Sequence, residues 1–156
     1  MDCLERRNDF INGAVAGVVG ATVKYAFNEL MQYLLIAKYD NNATALSVVF
    51  SDYQKSPLFW AIGFIHAILI GAFFGVLIAF TFDYIFTEKY YLLKGAAIGI
   101  FIYFFNFGVM AKVFKYPPDL STLPGDVIAM FLSLVIYAVV TVYTLKRLGF
   151  ITEQKT

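Results

Sequence analysis

The sequence predicts an all-α integral membrane protein, a polytopic four-helix transmembrane bundle with short loops. Three observations lead there. Of 156 residues, 60% are hydrophobic and 15% charged, with a mean hydropathy of +0.71, whereas soluble domains run near half apolar and a quarter charged. Four apolar stretches, at about 10–36, 57–82, 91–113 and 124–146, reach the roughly 20 residues that a spanning helix needs. No segment of ~10 residues alternates polar with apolar as a barrel strand does. A single transmembrane domain over 1–156 is therefore expected.

The first span contains "AGVVGATVKYAFNELMQYLL" (15–34) and follows Arg6 and Arg7. That start mimics a signal peptide, but the apolar run continues past Lys24, so an uncleaved helix is expected. Cys3 is the lone cysteine, which rules out an intramolecular disulfide and a cysteine-rich metal site. It precedes the apolar run, unlike a lipoprotein cysteine. The connection 37–56 contains "ATALSVVF", too short to span and expected at the interface or as a re-entrant turn. Asn42-Ala43-Thr44 within it matches a glycosylation acceptor, a match common by chance. "SPLFW" supplies Ser56 as N-cap and Pro57 as the first residue of the second helix. "KYPPDLSTLPGD" (115–126) reads as a stiff turn before the fourth helix, with Asp126 placed to favour that helix's dipole.

Four spans put both termini on one side. Arg6, Arg7, Lys89, Lys94, Lys146, Arg147 and Lys155 share that side, against Lys38, Lys55, Lys112 and Lys115 on the other. The excess of basic residues predicts cytoplasmic termini. Tyr33, Tyr39, Tyr53, Trp60 and Tyr116 then fall near the outer face, and Tyr84, Tyr90, Tyr91 and Tyr143 near the inner one, as amphipathic rings prefer.

Three spans carry a small-xxx-small pattern: Gly13 and Gly17, extended by Gly20 and Ala21; Gly71 and Gly75; Gly95 and Gly99. Lipid provides no hydrophobic force between helices, so close approach over small residues becomes a main source of attraction. On a helical wheel, at about 100° per residue, Lys24 and Asn28 continue the Gly13 stripe while Glu29 lands near 160° from it. Asn106 falls about 20° from Gly95, and His66 about 140° from Gly71. Asp126, Met130, Ser133 and Tyr137 share one stripe of the fourth span. By depth, Lys24 is near mid-span, and Asn28, Glu29, His66 and Asn106 lie roughly 5–9 Å outward. The expectation is one polar layer of Lys24, Asn28, Glu29, His66 and Asn106 in the outer half, above inner halves packed on glycine. Its functional reading is a binding or conduction site in which Lys24 meets an anionic group. Its structural reading is a hydrogen-bond cluster that fixes helix register, with Lys24 paired to Glu29 across a partner or subunit.

The stripe "AGVVGATVKYAFNEL", His66 before "GAFFGV", and "LLKGAAIGIFIYFF" resemble those of small, uncharacterised four-helix membrane proteins of Gram-positive, endospore-forming bacteria. The resemblance covers most of the chain and implies a bacterial cytoplasmic membrane; it implies no activity.

A net charge of +1 offers no basic surface for nucleic acid. There is no HExxH, GxSxG or CxxC motif and no paired acidic motif within a span, so neither an enzyme, a metal site nor a cofactor is expected. The expected partners are the lipid bilayer and either a second copy of this chain or another membrane protein. Two functions stand: an oligomeric transporter or channel built on the polar layer, and a non-catalytic accessory, assembly or regulatory subunit whose polar cluster is structural.

Overall fold

A computed structural model describes residues 3–38, 40–47, 56–110 and 124–151. Helix α1 runs Cys3–Tyr33, α2 Asn41–Ser47, α3 Pro57–Tyr84 and α4 Tyr91–Tyr103; a π-helical segment continues α4 over Phe104–Met110, and α5 runs Pro124–Arg147. Among the described residues there is no strand. Asp9–Tyr33, Pro57–Tyr84, Tyr91–Val109 and Pro124–Arg147 are each long and apolar enough to cross a membrane. The protein is an all-α, four-helix membrane bundle.

The helix ends follow local chemistry. Ser56 caps α3, its hydroxyl accepting from the Phe59 N–H at 3.3 Å, and Pro57 occupies the first turn, where a missing N–H costs nothing. The third span is α-helical only as far as Tyr103 and widens into i→i+5 turns beyond it. The first span stops at Tyr33, three residues short of the expected 36, in a turn where the Leu34, Ile36 and Ala37 N–H groups fold back onto Leu30 and Met31. Most of the expected turn 115–126, and the charges of Lys55, Lys112, Lys115 and Lys155, lie outside the described residues, as do Tyr39, Tyr53 and Tyr116.

Helix α1 packs between α3 and α5, α5 packs between α1 and α4, and α4 rests principally on α5. Helix α1 runs antiparallel to α3 and to α5, and α4 antiparallel to α5. Gly13 meets Val76 and Ala79, Gly17 meets Gly71 and Gly75, and Gly20 meets Tyr137 and Thr141. Across the other interface Gly95 meets Val142, and Gly99 meets Leu134 and Val135. The start of α1 and the end of α5 therefore share one end of the bundle. At that end Lys94 Nζ donates to Thr87 O at 2.6 Å, Lys146 sits 4.8 Å from the Tyr91 ring centroid, and Arg147 Nε donates to Tyr143 at 2.8 Å.

The approach at Gly17 and Gly75 is backbone to backbone. A Cβ at Gly17 would overlap Gly71 O and lie 2.8 Å from Gly75 Cα; one at Gly75 would overlap Gly13 O and Gly17 Cα. Real Cβ atoms do not occupy such positions, so residues without one are what allow α1 and α3 to meet here. Beneath them the core is small and aliphatic: Ala16, Ala138, Val142 and Leu145 are fully buried.

At the opposite end, α2 turns back against α3. Asn42 fits over Gly63, where a Cβ would come within 2.8 Å of Asn42 O. Gly63 is six residues into α3, about 9 Å below its end at the helical rise. Residues 48–55 of this connection lie outside the described residues; the short helix before them packs on α3, with Asn42 and Leu46 buried. Burial of Asn42 removes it from consideration as a glycosylation acceptor.

Candidate intramembrane polar site

The packing of glycines sets which polar residues share a level. Gly13 against Val76 and Gly17 against Gly71 and Gly75 fix the antiparallel register of α1 and α3. Tyr25 stacked edge-on to Phe64, at 5.0 Å between centroids, continues it. Lys24 is thereby level with His66. On the other flank of α1, Gly20 against Tyr137 and Thr141 places Lys24 level with Ser133 and Tyr137 of α5, and Asn28 one turn further on, near Met130.

Asn28 is buried, at 2% exposure, and neither Oδ1 nor Nδ2 has a hydrogen-bond partner. An amide left unsatisfied in a water-free interior costs about 1–3 kcal/mol per group by mutational measures. The hydroxyls that α5 turns inward do not donate to it, because each gives its hydrogen to a backbone carbonyl. Ser133 Oγ donates to Met130 O at 2.9 Å, Thr141 Oγ1 to Tyr137 O at 2.8 Å, and Tyr137 Oη to Gly71 O at 2.6 Å. His66 is partly buried, and its Nδ1 is likewise buried without a partner. Lys24 is partly buried and forms no ion pair among the described residues.

Two residues expected in the layer are elsewhere. Glu29 is exposed, on the face of α1 turned from the glycine stripe, and lies beside the Tyr25 hydroxyl rather than Lys24. Lys24 and Glu29 thus do not pair within one chain. Asn106 stands on the π-helical segment of the third span, and α5 separates that span from α1 and α3. A helical wheel gives an angle about one axis and is silent on which neighbour that angle faces, so Asn106 looked equivalent to Asn28. Lys24 and Asn28 of α1 and His66 of α3 share a level, with His66 about 140° round α3 from the Gly71 face that meets α1.

Two polar contacts escaped the sequence. Tyr25 Oη accepts from Asn42 Nδ2 at 2.9 Å, tying α2 to α1. Its signal was an amphipathic ring well inside a span rather than at an interface. Asp126 Oδ1 accepts from the Lys38 backbone N–H at 2.6 Å, and Gly125 lies against Ile36 O. The helix dipole accounts for one role of Asp126. Its carboxylate also clamps the chain leaving α1 over the start of α5. The stripe it shares with Met130, Ser133 and Tyr137 is buried throughout.

Among the described residues no three His, Cys, Asp or Glu side chains gather as a metal site. Comparison with family models, with curated proteins and with solved structures finds no match to this chain.

Proposed function

We propose that this is a multi-pass protein of a bacterial cell membrane, with both termini cytoplasmic, that acts as an oligomeric transporter or channel. The Lys24–Asn28–His66 layer is its solute site, and an anionic group of the solute meets Lys24. The observation that carries the reading is the Asn28 amide: both of its polar atoms are buried and unpartnered between packed helices. In lipid every such group needs a partner, and a solute that accepts from Nδ2 and Lys24 while donating to Oδ1 or to His66 Nδ1 would supply it. An intramembrane ionisable residue without a counter-charge belongs by default to a functional site. Helices that meet backbone to backbone at Gly17 and Gly75 leave no passage between them, so a path across the membrane has to run between copies of the chain.

The test is thermal stability of purified wild type and Lys24→Met across a panel of inorganic anions, with flux into liposomes measured alongside. An anion at a hundredfold excess over its Kd should stabilise the wild type by about 2.7 kcal/mol and leave Lys24→Met unmoved. Identical melting of both proteins under every condition would show that Lys24 only extends along its helix to reach water.

A second reading, a non-catalytic accessory, assembly or regulatory subunit, is favoured by the outer part of the third span. Phe101 and Phe104 are 69% and 62% exposed, and a Cβ on Gly108 would meet nothing within 4 Å. The Asn106 amide there sits on a π-helical turn, where the backbone ladder is irregular. A cysteine at Asn106 that cross-links to a different membrane protein, with none to a second copy, would favour this reading over the first.

A further inference from the structure

The polar atoms at the level of Lys24 are closed to any solute. Both amide atoms of Asn28 and Nδ1 of His66 are buried without a partner, so a ligand reaches them only after something moves. The inner end offers no opening. Gly17 and Gly75 meet backbone to backbone there, and Tyr137 Oη donates to Gly71 O at 2.6 Å, joining α5 to α3. We propose that α2 is a gate over the outer end of this level, closed in the present conformation and lifted to admit solute. The gate rests on the solute-site reading above and names the element that regulates that site.

Helix α2 bridges the two helices that carry the orphaned side chains. On α3 it sits over Gly63, whose Cβ would lie 2.8 Å from Asn42 O; His66 is three residues further along that helix. On α1 it is tied to Tyr25, whose Oη accepts from Asn42 Nδ2 at 2.9 Å; Asn28 is three residues further along. Residues three apart share a helix face. The face of α3 beneath α2 is therefore the one that bears His66, and the face of α1 to which it is tied bears Asn28.

The hold on α2 is slight. A helix of seven residues has no stability of its own, and Ala45 and Leu46 are its buried apolar side chains. The Asn42–Tyr25 bond serves as its latch. Against these stand four buried polar atoms without partners: both of Asn28, Nδ1 of His66 and Oδ1 of Asn42. Each forgoes a hydrogen bond while α2 is down and gains one from water once it lifts. The helix also carries its own cap, because Asp40 Oδ1 accepts from the Asn42 and Ala43 N–H groups at 2.9 and 3.1 Å. It can lift as a unit without losing its first turn.

The reporter is a cysteine at Asn28 in full-length protein with Cys3→Ser, held in nanodiscs so that reagent reaches both ends. The probe is a water-soluble anionic methanethiosulfonate, which needs an aqueous path to the thiol. Lys38→Cys, at an exposed position, sets the rate of free access. Ala16→Cys, at a fully buried position among the inner glycines, sets the rate of none. Asn28→Cys should react at a rate between the two, although its position is only 2% exposed. Adding Tyr25→Phe keeps the ring against Phe64 and removes the latch. It should speed the reaction of Asn28→Cys at least about fivefold, the factor that one net hydrogen bond implies, and leave Ala16→Cys unchanged. The gate is overturned if Asn28→Cys reacts no faster than Ala16→Cys, if Tyr25→Phe brings no gain, or if it speeds both cysteines alike. The first comparison needs no second substitution, so a poorly folded Tyr25→Phe protein does not blunt it. Labelling reads exposure of the thiol and not affinity for an anion, which keeps the two readings apart. Anion-dependent melting with an unreactive Asn28→Cys removes the gate and leaves the site; a reactive Asn28→Cys without anion-dependent melting leaves the gate and removes the anion.

Discussion

The Tyr137 hydroxyl donates to the carbonyl oxygen of Gly71 at 2.6 Å, joining α5 to α3 beside the glycines of α1. Both residues are buried, and the bond exists because Gly17, Gly20 and Gly71 let three backbones come close enough for one phenol to reach across. Tyr137→Phe keeps the ring and removes the donor. Gly71 O is left with its intrahelical role, so the expected loss is about 0.5–1.5 kcal/mol, the worth of one such bond. Unfolding in mixed micelles with increasing denaturing detergent would measure it; a loss above about 3 kcal/mol would mean the hydroxyl has a further partner.

Gly17→Ala should destabilise by about 1–3 kcal/mol, as overpacking does, because the added methyl would lie 2.8 Å from Gly75 Cα and 3.0 Å from Ala72 Cα. The comparison position is Gly108, where a Cβ meets nothing within 4 Å. Gly149 is unsuitable because its φ of +75° would strain any other residue. The same detergent unfolding on both variants checks this, and equal stability would show that α1 and α3 do not depend on backbone contact.

Asp126→Ala should release the chain after α1 from the start of α5, at a cost of about 1.5–3 kcal/mol for a charge-assisted bond, while Asp126→Asn, which retains an acceptor for the Lys38 N–H, should lose less. Hydrogen exchange of the peptide covering 34–38 is the readout. Exchange there should rise in Asp126→Ala, with that of α3 unchanged.

Orientation is open to direct labelling. With Cys3 replaced by Ser, a cysteine at Lys38, which is exposed where Asn41, Asn42, Ala45 and Leu46 are buried, should react with an impermeant maleimide from outside intact cells. A reporter after Thr156 should be active only in the cytoplasm. External labelling of native Cys3 would invert the topology.

Composition and length were enough to settle the class of fold, because a bilayer leaves a chain this apolar little alternative to spanning helices whose backbones bond internally. Cap chemistry was equally local: Ser56 and Pro57 start α3 where the sequence says. The faces of single helices were legible too. Met130, Ser133 and Tyr137 are buried as one stripe, and Lys24 and Asn28 continue the glycines. What periodicity could not supply is partnership, since a wheel fixes an angle about one axis and carries no information on the neighbour at that angle. Only the tertiary arrangement separated Asn106 from the Lys24 layer and left Asn28 without a hydrogen bond. It alone folded α2 back over Gly63, where Asp40 and Asn42 come to line one cavity with Trp60, distant from them in sequence. Those outcomes depend on which backbones approach most closely, and that is decided where glycines on different helices meet, a pairing no single helix encodes.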